Sequence, residues 1–217
     1  MCGVTGFWLD KNITLGNASE ILTRMTKSLD HRGPDSHGHF VNSDDNIGFG
    51  HSRLSILDLS SNGHQPMESL SQRFLITFNG EIYNHLSIRD LLTNEFPSIS
   101  WRGTSDTETL LMAIECWGLK KALICSDGMF AFGLWDQQLK KLFFARDRMG
   151  EKPLYFGWQG DSFLFGSELK ALKMHPSFRG QIDRDSLSPY FRYNNIPAPF
   201  SIYRDIYKLA PGSILTL

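Results

Sequence analysis

Between residues 3 and 165 the chain alternates short β-prone runs with polar or glycine-containing connections, and this spacing constrains its fold more than any other feature. Residues 3–8, 74–78, 129–135, 141–146, 154–158 and 163–165 read as strands, and residues 39–59 hold at least two more around a turn at 42–46. Hairpin-length links build antiparallel sheet, whereas a doubly wound parallel sheet needs a helix between successive strands. The predicted class is therefore α+β with mostly antiparallel sheet.

Three stretches carry helical periodicity. Asn17 with Glu20 reads as a helix-start box ahead of Ile21, Leu22, Met25 and Leu29, with an end near Asp30. A short helix is expected over residues 86–94. Ser105 with Glu108 is a second capping box, followed by the apolar face Leu110, Ala113, Ile114 and Trp117 and by Gly118 as the stop signal. Residues 31–38, with two glycines and a proline, read as a loop, and the strand at 74–78 is expected to run into a tight turn at Asn79-Gly80. Nothing divides the first 175 residues, so residues 1–217 read as one domain. The proline-rich stretch 177–217 reads as its tail, leading elsewhere, with residues 206–217 as a closing β segment.

Lys and Arg number 22 against 23 Asp and Glu, for a net charge of -1, so no positive field exists to hold a polyphosphate backbone and nucleic acid is excluded as a partner. No apolar run approaches the roughly 18 residues of a membrane span, and the first residues have no basic start; the expectation is a cytoplasmic protein without a membrane partner. Cys2, Cys116 and Cys125 are odd in number and lack CxxC spacing, against both a disulfide framework and a structural zinc site. His37 and His39 share one strand face and His51 lies in the next strand, but no ligand set is completed, and no metal is expected. Gly48 and Gly50 give a bare GxG without a phosphate cradle.

Cys2 follows the initiator methionine. Removal of Met1 would put a thiol, pKa about 8.5, and a free α-amine, pKa about 7.7–8.0, on one residue, so that nucleophile and base coincide. The alternative is a small buried cysteine opening the first strand.

The stretches Cys2-Gly3-Val4-Thr5-Gly6, His31-Arg32-Gly33-Pro34-Asp35, Ser52-Arg53-Leu54-Ser55-Ile56, Phe78-Asn79-Gly80-Glu81-Ile82-Tyr83-Asn84 and Ser105-Asp106-Thr107-Glu108 occur in an order that resembles the class II glutamine amidotransferase domain, an N-terminal-nucleophile hydrolase. The run Arg146 to Tyr155 (RDRMGEKPLY) and the run Gly166 to Ala171 (GSELKA) are similar to the glutamine-hydrolysing asparagine synthetase family. The resemblance covers the whole chain. It implies a four-layer αββα sandwich and a glutaminase that releases ammonia from L-glutamine through a Cys2 thioester.

The same resemblance assigns the site. The Asn79 side-chain amide and the Gly80 N–H would bind the oxyanion, although these two residues by themselves also suit a plain hairpin turn. Arg53 would take the substrate carboxylate, where the alternative is a surface ion pair within a strand. Asp106, with Glu81 nearby, would take the ammonium, while its place at a helix start is favourable for a carboxylate in any case. Leu54 and Ile56 complete the expected binding set, and the His31–Asp35 loop shapes the pocket near Cys2. No cofactor is expected in this chain. ATP and Mg are implied for a C-terminal synthetase domain, the expected partner, which is absent here; a homodimer is left open. Two rivals remain: a non-catalytic regulatory domain with the same fold, favoured if Met1 stays attached, and an N-terminal-cysteine hydrolase of another acyl substrate.

Overall fold

A computed structural model describes residues 1–9 and 15–217. In chain order the first elements are β1 (Gly3–Leu9), α1 (Leu15–Lys27), β2 (Ser36–Asn42), β3 (Ile47–Arg53), β4 (Met67–Glu68) and β5 (Phe74–Ile82). They are followed by α2 (His85–Glu95), α3 (Asp106–Trp117), α4 (Leu119–Cys125), β6 (Gly128–Asp136) and β7 (Lys141–Arg146). The last are β8 (Tyr155–Gln159), β9 (Ser162–Gly166), α5 (Leu169–Lys173), α6 (Leu187–Tyr193), β10 (Ile206–Lys208) and β11 (Ile214–Thr216).

Two antiparallel sheets result. One has the order β10-β8-β9-β1-β3-β2 and the other β11-β7-β6-β5-β4. The N-terminal run thus sits in the middle of its sheet, between β3 and β9, so both of its edges are paired. Three apolar clusters define four layers. Leu75, Trp135, Phe144 and Phe165 belong to the cluster between the sheets; Phe7 with Leu22, Met25 and Leu172 packs α1 and α5 on the outside of the first sheet; Ile76, Phe78 and Phe132 with Leu110 and Ile114 pack α2, α3 and α4 on the outside of the second. The strand period of two makes this division, because alternate residues of one strand serve opposite layers: Val4 faces the partner sheet and Phe7 faces α1. The expected αββα sandwich is the observed one.

Several local expectations are corrected. Asn79-Gly80 is not a turn: it lies inside β5, paired with Ala131 and Phe130 of β6, and the chain turns at Tyr83-Asn84 instead. A nine-residue strand with β6 alongside outweighs the dipeptide's local preference. The loop begun at His31 ends at Asp35, since Ser36–Gly38 pair with β3, and residues 54–59, apolar enough to read as strand, form an irregular segment with Ile56 and Leu59 exposed. Asn17 lies inside α1, which begins at Leu15, so Asn17 with Glu20 is not the start box; the polar residues 10–12, which end the first β-prone run in the sequence, lie outside the described residues. The hairpin succession breaks after β7, because β8 joins the other sheet. The tail is part of the sandwich: β10 pairs with β8 and β11 with β7, one at the edge of each sheet.

The Ser105 cap is present, its hydroxyl accepting from Glu108 N–H at 3.2 Å. The box is only half formed, because Glu108 instead accepts from the N–H groups of Arg102 and Gly103 at 2.7 and 3.0 Å. Gly118, at φ 81°, ends α3 with its N–H on Ile114 O. No helix among the described residues is long and apolar enough to cross a membrane.

Two buried histidines make stability depend on pH. Burial holds His51 at a pKa of about 3 and His175, tilted against the Phe7 ring, at about 4, against 6.5 for a free imidazole. The unfolded chain binds these protons first, so stability is lost as pH falls below about 6.5, at about 1.4 kcal/mol per unit for each histidine. Chemical denaturation from pH 7 to pH 5 is expected to show this loss; a flat stability profile over that range would contradict the burial of both rings.

Candidate functional site

A cleft of about 630 Å³, counted with the volume open to solvent, lies at one end of the space between the sheets. Cys2, Arg53, Leu54, Ile56, Asn79, Gly80, Glu81 and Asp106 all line it. Residue parity explains the convergence. Cys2 shares the parity of Val4, Arg53 that of Phe49, and Asn79 and Glu81 that of Leu75, and those three apolar residues belong to the cluster between the sheets. The β-rich pattern that builds the inner core therefore also delivers the polar side chains to its open end.

Cys2 is held from several directions. Arg32 Nε donates to Cys2 O at 2.9 Å while Arg32 Nη1 donates to Glu168 at 2.9 Å, and Val4 N–H donates to Ser167 Oγ at 3.0 Å. The loop at 31–35 and the stretch at 166–171 thus clamp the start of β1. His31 stands one step further out, on Glu168 at 2.9 Å. The Leu54 N–H lies 3.4 Å from Cys2 Sγ, and the thiol points to Leu54 O at 3.6 Å. Burial pushes the thiol pKa up; the Leu54 N–H, the Met1 amino terminus and Arg53 oppose this, and Asp106 reinforces it. A thiol in this setting needs a base beside it to act as a nucleophile.

Asn79 and Gly80 form the facing wall. Phe78 donates its N–H to Gln65 Oε1 at 2.6 Å, and His51 Nε2 donates to Phe78 O at 3.0 Å, so side chains hold β5 where the short β4 has ended. Ile82 N–H donates to Asp106 Oδ2 at 2.8 Å. In an antiparallel ladder alternate residues present their N–H to the same edge, which puts the Gly80 N–H between those two satisfied groups, on the side away from β6. Its cross-strand neighbour Phe130 uses both backbone groups on Asp147, and among the described residues no side chain accepts from Gly80. A Cβ at Gly80 would meet Met129 O at 2.2 Å, so the close approach of β6 requires glycine there. Asn79 is buried, and both atoms of its side-chain amide lack a hydrogen-bond partner among the described residues. Such an amide costs roughly 1–3 kcal/mol, of which an oxygen atom accepting from Nδ2 would offset the donor's share.

Arg53 and Asp106 lie on separate elements of the cleft. Arg53 ends β3 and spends two of its donors on the carbonyls of Ser60, at 3.1 Å, and Asp58. It forms no ion pair among the described residues, so its side chain is not explained by a surface salt bridge. Asp106 opens α3 and accepts from Ile82 N–H and, at 2.9 Å, from Thr107 N–H. Burial pushes its carboxyl pKa up against those two bonds. Asp58, whose carboxyl is held low chiefly by the Ser60 hydroxyl, also accepts Thr104 N–H at 2.9 Å and so ties the 54–63 segment to the start of α3.

Gln65, Asp58 and Lys152 line the cleft and His51 braces β5, but none was legible in that place from the sequence, which offered His51 only as a candidate metal ligand and Lys152 only as part of the run Arg146 to Tyr155. Their places in the site depend on partners brought near by the fold, such as Thr104 for Asp58, Phe78 for His51 and Met1 for Lys152; only Asp58-x-Ser60 carried a local signal, that of a side-chain-capped turn. Among the described residues no group of three or more His, Cys, Asp or Glu is placed to hold a metal ion.

Comparison with known proteins follows the same lines. The family described as glutamine amidotransferase domain matches residues 1–217. The chain is 37% identical over 219 residues to asparagine synthetase [glutamine-hydrolyzing] 3 of Bacillus subtilis, covering 100% of this chain and 34% of that protein. It is 36% identical over 229 residues to putative asparagine synthetase [glutamine-hydrolyzing] 2 of Methanocaldococcus jannaschii, covering 96% and 42%. The chain thus spans well under half the length of these relatives. Among solved structures, the glutamine phosphoribosylpyrophosphate amidotransferase of B. subtilis, complexed with ADP and GMP, superposes with a TM-score of 0.66 at 22% identity, over 80% of this chain and 43% of that one, a likeness of fold.

Proposed function

The chain belongs to the glutamine amidotransferase domain family, and from that premise we propose that it hydrolyses L-glutamine to glutamate and ammonia, with Cys2 as nucleophile once Met1 is removed. The observation that carries this reading is the pair of unused donors, the Asn79 amide and the Gly80 N–H, on the wall of the cleft that also holds the Cys2 thiol.

In the mature chain the α-amine of Cys2 takes the thiol proton, and the thiolate attacks the side-chain amide carbon of glutamine. The carbonyl oxygen becomes an oxyanion bound by Gly80 N–H and Asn79 Nδ2. Collapse breaks the C–N bond, and the α-ammonium returns its proton to the departing nitrogen, which leaves as ammonia. Water, deprotonated by the same amine, then attacks the thioester, restoring the thiol and freeing glutamate. Arg53, with three donors left over, receives the substrate α-carboxylate, and Asp106 with Glu81 receives the α-ammonium. Opposite charges on separate elements of one cleft suit a free amino acid and disfavour the rival reading of another acyl substrate.

By likeness to its relatives, the ammonia would pass to an acceptor bound in a synthetase domain beyond the matched region. Such a domain, of the asparagine synthetase type carried by relatives of which this chain spans 34% and 42%, would use ATP and Mg, and residues 177–217 would lead to it. The test is mass spectrometry after exposure to a diazoketone analogue of glutamine. The Met-free chain is expected to gain one adduct, on Cys2, with none on Cys116, whose thiol burial and Glu115 push up in pKa, and none on Cys125. A chain that retains Met1 when expressed in its native host and takes no adduct would favour the non-catalytic reading.

A further inference from the structure

Lys152 lines the cleft and has no part in the steps above. Its backbone is fixed on both sides: the N–H donates to Asp147 at 3.1 Å and the C=O accepts from Arg146 Nε at 2.7 Å. Asp147 is itself buried and accepts from Phe130, Met149 and Glu151 as well, so the turn that presents Lys152 is rigid. The side chain is buried, yet among the described residues its ammonium has one hydrogen-bond partner, Met1 Sδ at 3.0 Å, and no ion pair. A thioether is a weak acceptor, and a buried cation without a counter-ion is uncommon. This one sits against the residue whose removal would free the Cys2 α-amine.

We propose that Lys152 disfavours protonation of the Cys2 α-amine in the mature chain, so that the amine serves as a base at lower pH than its other neighbours would allow. The inference rests on Cys2 as the N-terminal nucleophile. Among the other charged residues that line the cleft, Arg53 from the end of β3 acts in the same direction as Lys152. Asp58 from the following segment, Glu81 from β5 and Asp106 from α3 act against it. Arg32, on Cys2 O, is balanced by Glu168, with His31 and Lys170 beyond it. Three carboxylates against one guanidinium would hold the proton on the amine; the second cation, which has no carboxylate partner among the described residues, reduces that excess from two charges to one.

The test compares the Met-free wild type with Lys152→Met, which keeps the length of the side chain, and Lys152→Arg, which keeps its charge. Two pH profiles are measured: kcat/KM for glutamate release, and the rate of Cys2 alkylation by iodoacetamide followed by mass spectrometry. In Lys152→Met the acid limb of both is expected to move up by about one unit, so that rates at pH 6.5 fall about tenfold while those above pH 8.5 stay within about twofold. Lys152→Arg is expected to keep the wild-type limb. A Lys152→Met limb that coincides with the wild type overturns the proposal, and a uniform drop across all pH does so too, since it marks a packing role. Should wild type release no glutamate, the glutaminase reading fails, and the alkylation profile still decides the role of Lys152.

Discussion

Cys2→Ala in the Met-free chain is expected to lower glutamate release by more than about 10⁴-fold, the scale on which removal of a nucleophile acts when binding and oxyanion donors remain. No other thiol can substitute, because Cys116 and Cys125 do not line the cleft. The fold should survive. Cys2 precedes β1 and is only partly buried, and the segment is held by backbone groups that alanine retains, through Arg32 on the carbonyl of residue 2 and Ser167 on Val4 N–H. A melting temperature within about 4 °C of wild type is the matching expectation, since a change of about 1 kcal/mol shifts a chain of this size by roughly 2–4 °C. Turnover retained in the variant would sink the thioester mechanism, whatever its stability.

Asn79→Ala tests the opposite wall. Loss of one oxyanion donor is expected to reduce kcat by about 10²–10³, roughly 2.7–4 kcal/mol of transition-state stabilisation, with KM changed little because the ground-state amide is bound chiefly through its two charged ends. Stability separates this from a structural role. The Asn79 amide is buried with neither atom partnered, so the shape-matched Asn79→Leu should melt no lower than wild type while being as inactive as Asn79→Ala. A lower melting temperature in Asn79→Leu with near-normal kcat would make Asn79 a structural residue and leave Gly80 N–H alone.

What could be read from the chain before folding was uneven, and the pattern of success is physical. Gly128–Asp136 and Lys141–Arg146 lie close to their expected limits because an apolar, β-prone run bounded by polar turn residues leaves a local trace. The cap at Ser105 was legible for the same reason: its partner is three residues away. Asn79-Gly80 misled, because a turn-forming dipeptide was overruled by pairing with β6, a partner about fifty residues distant. Helices α4, α5 and α6 were missed; they span 7, 5 and 7 residues, too few to show a period.

By itself the sequence singled out Cys2 as the candidate nucleophile, and it carried the alternation that sorts side chains between layers and the five motifs whose residues line or brace one cleft. Tertiary structure alone decided the registers that bring the parity of Cys2, Arg53 and Asn79 to a common side, and the gap beside β5 where Gln65 and Asp106 satisfy two backbone N–H groups and leave Gly80 unused between them. The division follows from the range of the forces involved. Backbone preference and capping act over a few residues and are written locally, whereas strand register and the fate of a backbone donor depend on which distant strand lies alongside, and a shift of one residue would turn every one of these side chains to the other face.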